Sequence, residues 1–515
     1  MSRNTLARAT MVIIAMNLIS KVLGFVRETV IAGKYGATYS TDAYNAAYTI
    51  PYFLQMVLGM ALVTSIVPVV TKYLMKGEKD EGWRIASITL NWTVLFMTGL
   101  AVIGMLGSGV IVNLITPGFS QTTADLTTYL TIIMFPSVIF MGAGMLITGI
   151  LNARKYFAMA AFAPGLSNLI IIIFVIFLGQ YGIQYLALGT LVGMVVALLI
   201  QLPALRQAGF IYSWSWNLKH PDVRGIFANL LPIFLGTAVN QIYLAINRYF
   251  ASGLSEGSIS ALNYAGKLMN LPMGIFVLAV ASAIFPTLSE HAVKGDKQAL
   301  GVTLNRGLKM VLLITLPAAA GLMVLNTPIV KLLFERGAFD ANATQMTASA
   351  LFYFSLGMFA MSLNMVLTRA YYAVQDVRTP LYIGFSSIIV NILASRLLVG
   401  SMGHSGLALA NSLAAIYSAV AMYLLLKRHL PQLNFVDLAT SVTKAAVASV
   451  LTAVTALLGY NYMTRLFVGQ DSKHLLIQVM VSIALAACVY AISILLLREK
   501  EVLLMLNRIK ARLGF

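Results

Sequence analysis

The chain has 515 residues, 59% of them hydrophobic and only 10% charged, and carries a net charge of +18 at pH 7. Soluble domains carry roughly 25% charged residues, so an ordinary soluble protein is excluded. Continuous apolar runs of spanning length exclude the alternating strands of a membrane β-barrel, and the cation excess reads as loop charge facing anionic headgroups, with no nucleic acid expected.

In chain order, apolar runs between turn signals predict spans near 7–33, 42–72, 85–115, 124–151, 157–178, 182–205, 226–252, 258–290, 303–334, 343–374, 380–399, 405–426, 438–461 and 475–497. The expected fold is therefore all-α and polytopic, with about fourteen transmembrane helices. No small-residue cleavage site follows a short apolar core at the N-terminus, so the first helix is read as retained. Cations collect in alternate loops, among them Lys72, Lys76, Lys79 and Arg84, then Arg206, Lys219 and Arg224, then Lys427 and Arg428. The intervening loops "TPGFSQTTAD", "GQYGIQ" and "SGLSEG" hold almost none. By the positive-inside rule both termini are cytoplasmic, which fits an even number of spans.

The first span contains "KVLGFVRETV". An ionised side chain near a bilayer centre costs at least about 2.5–3.5 kcal/mol on insertion scales, and such residues are functional by default. Lys21 and Arg27 are therefore candidate substrate ligands and Glu28 their counter-ion, beside the alternative of a structural ion pair. Asp42, at the start of span 2, is a candidate ligand or a charge favouring its own helix N-terminus. In span 7, Asn240, Gln241, Asn247 and Arg248 make a polar stripe; Arg248 either lines a cavity or snorkels.

In span 8, Asn263, Lys267 and Asn270 share one helix face, and Pro272 predicts a kink beside them. Arg369, in span 10, is a further candidate. Arg306, Lys309, Lys331 and Lys444 read as snorkelling boundary residues. Acids at comparable depth are few, which leaves a cation surplus suited to a phosphate-bearing substrate. Spans 13 and 14 are nearly charge-free, and small residues such as Ala448 and Ala487 offer a shallow apolar groove for a lipid tail.

The chain also repeats itself. A constant shift of 218 pairs Asn45 with Asn263, Pro68 with Pro286, and "KGEK" at 76–79 with "KGDK" at 294–297. Six spans separate the copies, so both halves have the same orientation, and such parallel repeats mark transporters with a site between lobes. The expected division is an N-lobe at 1–205, a linker at 206–225, a C-lobe at 226–430, the extra spans at 431–498 and an amphipathic surface helix at 499–515. Cys488 is alone, the five His residues are scattered, and no Walker-type loop occurs, so no metal, no resident cofactor and no direct ATP use are expected. Na⁺ or H⁺ coupling stays open, and the chain is expected to act as a monomer.

The runs "SKVLGFVRETVIAGKYGATYSTDAYNAAYTIP", "NYAGKLMNLPMGIF" and "RAYYAVQDVRTP" resemble the MviN/MurJ lipid II flippases of the multidrug/oligosaccharidyl-lipid/polysaccharide exporter superfamily. The resemblance covers most of residues 5–430. It implies two six-helix lobes around a cationic cavity, two extra helices framing a groove for a polyprenyl tail, and cavity roles for Lys21, Arg27, Asp42 and Lys267. Its implied substrate is an undecaprenyl-diphosphate-linked peptidoglycan precursor, moved between leaflets of the bacterial plasma membrane by alternating access. Lys21 and Lys267 stand where Arg is usual in the proteobacterial pattern, Gly266 and Asn270 where acids flank that Arg, and Gln55 near another expected Arg.

Three other readings bear on the same features. An exporter of another polyprenyl-linked glycan would share them all. An ion-coupled multidrug exporter would need an acidic, aromatic site, and a polyprenyl-phosphate enzyme would need clustered acids for Mg²⁺.

Overall fold

The computed structural model describes residues 3–430, 433–467, 469 and 471–504. Those residues form helices and turns, with no strand among them. Eleven helices are long and apolar enough to cross a membrane, and a pair bent by 42° makes a twelfth passage. Arg3–Tyr35 and Pro221–Ala251, of 33 and 31 residues, are also of spanning length, since at 1.5 Å per residue each exceeds a hydrocarbon core of about 30 Å.

These passages are, in order, α1 (Arg3–Tyr35), α2 (Tyr39–Lys76), α3 (Lys79–Leu106), α4 (Gln121–Met134 and Ser137–Ala153) and α5 (Phe157–Tyr181). Then come α6 (Gln184–Gln207), α7 (Pro221–Ala251), α8 (Ser258–Val293), α9 (Lys297–Val324) and α10 (Ala341–Ala373). The last four are α11 (Arg378–Met402), α12 (His404–Arg428), α13 (Phe435–Leu466) and α14 (Ser472–Leu496). The helices generally outrun their apolar cores because polar ends continue the same backbone. Asp296, for example, accepts from the Ala299 N–H at 2.9 Å and starts α9 ahead of its apolar run.

The repeat is written into backbone irregularities. A π-turn at Gln55–Gly59 in α2 recurs at Met273–Val277 in α8, the shift of 218 seen in the sequence. Each lies just after a proline, Pro51 or Pro272, whose missing N–H and bulky ring loosen the ladder. Gly77 and Gly295, inside the "KGEK" and "KGDK" copies, both take a left-handed conformation (φ +81° and +69°) just past a helix end. Two spans expected to run unbroken to 115 and 334 instead break at Gly107 and Leu325, again equivalent positions, and continue as the short helices Ser108–Ile115 and Asn326–Phe334.

The chain divides into two compact units, Met1–Ser260 with Arg336–Phe339, and Ala261–Glu335 with Asp340–Phe515. In the first, α1 and α5 run in the same direction in strict register. Ser20 donates to the Ala161 carbonyl (3.0 Å) and Arg27 to the Asn168 side chain (2.8 Å), both pairs 141 residues apart. Small residues allow the approach, since a Cβ on Gly165 would sit 2.8 Å from Ser20 Oγ. A separate apolar core gathers Ile66, Ile85, Leu146 and Ile150, all fully buried.

In the second unit, Ser412 donates to the Tyr353 carbonyl at 2.6 Å and ties α12 to α10. The α13–α14 pair is held to α9 by an apolar cluster of Leu313, Ala445, Ala448 and Ile494, and by a bond from the Tyr490 hydroxyl to the Leu313 carbonyl (2.6 Å). A second tie is ionic and corrects the snorkelling expectation. Lys309, only 3% exposed, pairs with Asp437. Arg306 binds Glu501 at 2.9 Å, and Lys444 lies 3.6 Å from Glu499, which is buried and also accepts from Ser441 (2.6 Å). Lys331 pairs with Glu335 one turn on, at 3.5 Å. The acids that meet Lys309, Arg306 and Lys444 come from the start of α13 and the segment after α14, so the cation surplus is smaller than composition suggests. That segment therefore begins in a packed ionic contact; the rest of the expected surface helix, 505–515, lies outside the described residues.

Removing one partner of a buried pair typically costs 3–5 kcal/mol, whereas an apolar replacement of both is often close to neutral. Asp437→Asn should therefore lower the thermal unfolding midpoint in detergent, and Lys309→Met combined with Asp437→Leu should recover most of the loss. A double variant less stable than the single one would contradict the pairing.

Candidate functional site

The charge cluster of α1 is built on the α1–α5 seam. Arg27 bonds both Asn168 and Glu28, and Glu28 is 6% exposed. Glu28, expected as a counter-ion, thus meets the guanidinium of the neighbouring residue. The Arg27 Nε is buried without a hydrogen-bond partner. Along α2, Tyr44, Tyr48 and Tyr52 recur at helical spacing and stack in sequence, with ring centroids 6.2 and 5.7 Å apart. All three lie within electrostatic reach of Arg27. Neither Asn168 nor this tyrosine stripe was among the expected site residues. The spacing 44, 48, 52 was the available signal for the stripe; Asn168 is one amide in an apolar run, and nothing local marks its partner.

Lys21 lies on the same helix, about 21 Å from its Tyr35 end at 1.5 Å per residue. Its side chain is exposed, whereas Glu28 is buried.

Asp42 is buried and spends both oxygens on another helix. Its Oδ2 accepts from the Gly257 N–H at 2.8 Å, and its Oδ1 accepts from the Ser260 N–H at 2.7 Å and the Ser260 hydroxyl at 2.6 Å. A carboxylate at a helix N-terminus satisfies orphan donors and the positive end of the dipole. The helix it caps is α8, not the start of its own helix. Arg248 joins this cluster: it is 7% exposed, donates to the Ile259 carbonyl at 3.3 Å and lies within electrostatic reach of Asp42. Asn45 also donates to Ser260, at 3.2 Å.

The positions that touch here, 42 and 260, are equivalent under the repeat. Nearby contacts exchange partners to within two residues of the same shift: Ala338 donates to the Gly33 carbonyl (2.9 Å), and Gly118 to the Ser252 hydroxyl (3.0 Å). Gly257 (φ +85°) has no alternative, because a Cβ there would meet the Ala37 carbonyl oxygen at 2.3 Å. Within the first unit, the segments after α1 and α7 are thus latched at the C-terminal ends of their helices.

The remaining candidates lie in the second unit. Lys267 and Asn270 are exposed on α8 and Asn263 is half-buried, while Tyr264, Leu268 and Met269 pack inward. Asn270 donates to the Gly266 carbonyl one turn back, at 2.8 Å. Arg369 is half-buried, with its guanidinium 5.4 Å from the Phe285 ring centre. Ala448 is fully buried between α13 and α9 and offers no surface to a lipid tail, whereas Ala487 is exposed on α14. The two alanines expected to share a groove therefore do not share a surface; the α9 contact, invisible in a span-by-span reading, takes the Ala448 face.

A family model described as lipid II flippase MurJ matches residues 31–479. A lipid II flippase MurJ of Burkholderia cenocepacia is 31% identical over 435 residues, covering 82% of this chain and 84% of its own. A probable lipid II flippase MurJ of Vibrio cholerae is 32% identical over 431 residues, covering 81% and 82%. A solved lipid II flippase MurJ in an inward closed conformation matches with a TM-score of 0.79 at 25% identity, over 94% of this chain and 98% of that one. An inward-facing MATE family multidrug resistance transporter shares the fold, with a TM-score of 0.69 at 15% identity over 82% and 98%.

Asp42 generates a direct stability prediction. Asp42→Ala leaves buried donors unsatisfied at a cost of roughly 1–3 kcal/mol each, and Asp42→Asn keeps one acceptor and should cost less. Thermal unfolding in detergent should rank wild type above Asp42→Asn above Asp42→Ala. An unchanged midpoint for Asp42→Ala would show that the cap contributes nothing.

Proposed function

The chain belongs to the lipid II flippase MurJ family, and from that premise we propose that it carries an undecaprenyl-diphosphate-linked peptidoglycan precursor from the inner to the outer leaflet by alternating access. The observation that carries the residue assignment is the sorting of membrane-depth cations by exposure. Arg27 and Arg248 are committed to protein acceptors in the first unit, and Lys309 to an acid in the second. Lys21 and Lys267 are exposed on their helices. We assign a phosphate-contacting role to Lys21 within the first unit and to Lys267 within the second, because their side chains are accessible to a ligand. A lysine binds phosphate as a point charge without the geometric demand of a guanidinium fork, which suits a ligand that must be released on the other side.

Asn263 and Asn270, on the Lys267 face, supply neutral hydrogen bonds beside that charge. Arg27, Glu28 and Asn168 position α1, Asp42 and Arg248 hold the start of α8, and Arg369 stays over Phe285. The tail assignment keeps Ala487 and gives up Ala448. Both termini lie on the cytoplasmic side in this reading, supported by the cation-rich alternate loops.

Complementation of a strain deprived of its own lipid II flippase, with surface-exposed lipid II measured, tests the reading. Wild type should restore growth and outer-leaflet lipid II. Lys267→Ala should fail at normal membrane abundance, while Lys267→Arg should retain function because the position needs charge. Full activity of Lys267→Ala would remove this residue from the site. In the same assay Ala487→Trp should reduce transport with an unfolding midpoint within about 0.5 kcal/mol of wild type, as is usual for surface changes. Unaltered transport would leave α14 without a tail-binding role.

A further inference from the structure

The four tryptophans of this 515-residue chain gather in one place. Trp92 meets Trp216 edge-on, Trp216 meets Trp214, Trp214 meets Tyr212, and Trp83 meets Phe210, at ring separations of 5.5–6.5 Å. Trp83 is core, 3% exposed. Trp92 stands on α3, and Trp214 and Trp216 belong to an extended segment, "IYSWSWN", that joins α6 to α7 and lies along α3.

The segment alternates with a period of two. Its serines face α3: the Ser213 N–H donates to the Ser87 hydroxyl (3.1 Å), and the Ser215 carbonyl accepts from Asn91 (3.0 Å). Tyr212 donates back to Asn91 (2.9 Å) and the Trp92 indole donates to the Trp216 carbonyl (3.2 Å). Trp214 is the most exposed ring at 77%, while Tyr212 and Trp216, 47% and 37% exposed, each keep a contact with α3 and leave the rest of the ring accessible. This is a strap pinned mainly by its backbone, with an accessible edge of large amphipathic rings.

Its depth is set by α3. Ser87 and Trp92 lie about 12 and 20 Å along that helix from Lys79 at 1.5 Å per residue. The polar first turns end at Arg84, and the strap therefore runs from just below the last charge into the apolar part of a spanning helix. That is the level at which Trp and Tyr concentrate in membrane proteins, and non-helical backbone is tolerated there only when its polar groups are satisfied by protein. Arg84, Arg206, Lys219 and Arg224 flank the strap and are exposed. The nearby acids are engaged internally: Asp222 with Lys72 (3.0 Å) and the Tyr73 hydroxyl (2.6 Å), Glu81 with His220 (3.2 Å).

We propose that residues 211–217 form an interfacial strap that beds its Tyr212–Trp214–Trp216 edge into the headgroup and glycerol layer of an anionic leaflet. The chemistry recognised is a bilayer interface: flat rings with one polar edge, ringed by cations that match acidic phospholipid headgroups. The strap connects α6 to α7, so this embedding anchors the link between the sequence halves in the membrane and keeps it out of the cytosol.

Intrinsic fluorescence of the purified full chain in proteoliposomes reads this directly. Trp214→Phe is compared with wild type, and the difference isolates the most exposed indole without perturbing the buried Trp83. A second protein retains only Trp214, with the other three tryptophans changed to Phe. Trp214 emission should be strongly quenched by phospholipids brominated near the glycerol end of their chains, weakly by lipids brominated near the chain ends, and little by aqueous iodide. Quenching by the shallow label should rise when phosphatidylglycerol replaces part of the phosphatidylcholine. Efficient iodide quenching with no response to brominated lipid would overturn the proposal and place the strap in water. Identical shallow quenching in neutral and anionic bilayers would overturn its electrostatic part. Neither readout depends on transport, so failure here is distinguishable from failure of the flippase reading.

Discussion

A charge held at hydrocarbon depth must be compensated, and this chain sorts its membrane-depth charges by the way it does so. Arg27 is compensated by an adjacent acid and an amide on the parallel helix α5. Asp42 is compensated by the N-terminus of α8 and by Arg248. Lys309, Arg306 and Lys444 are compensated by acids from α13 and the segment beyond α14. Each compensation is also a tertiary contact, so solving the electrostatic problem fixes helix register and attaches the last two spans to their unit. Lys21 and Lys267 are exposed on their helices, where an anionic ligand can reach them.

The repeat gives this arrangement its economy. π-turns, helix-ending glycines and helix breaks recur at one shift, so the two copies loosen and stop at equivalent places. The contact between positions 42 and 260 turns that similarity into an asymmetric bond. One copy supplies a carboxylate, the other the N–H groups and hydroxyl it needs. Two acids there would repel, and two serines would leave the helix dipole without a counter-charge.

Much of the fold could be read from the chain itself. The apolar runs and the 218-residue shift depend on local composition or self-comparison, and the folded helices follow most of the runs, with breaks at Gly107 and Leu325 and a π-turn after Pro272. The parts that could not be read depend on which distant segments meet. Asp437, Glu499 and Glu501 look like loop acids until α9 is placed beside them. Ala448 looks like lipid-facing surface until the same helix covers it. Asn168 gains meaning only from the α1–α5 register. The tryptophan strap was hidden differently: its segment carries a period-two pattern in a chain otherwise read for helical spans, and its anchors, Ser87 and Asn91, are ordinary polar residues in an apolar helix.

The central claim is that the exposed lysines Lys21 and Lys267 contact the lipid diphosphate. Amine footprinting of the purified protein by mass spectrometry, with and without a short-chain lipid diphosphate, tests it most directly. The account predicts that the ligand protects Lys21 and Lys267 from acylation, while buried Lys309 stays unreactive in both states and exposed Lys76, at the end of α2, stays reactive in both. Equal labelling of Lys21 and Lys267 with and without the ligand would contradict it.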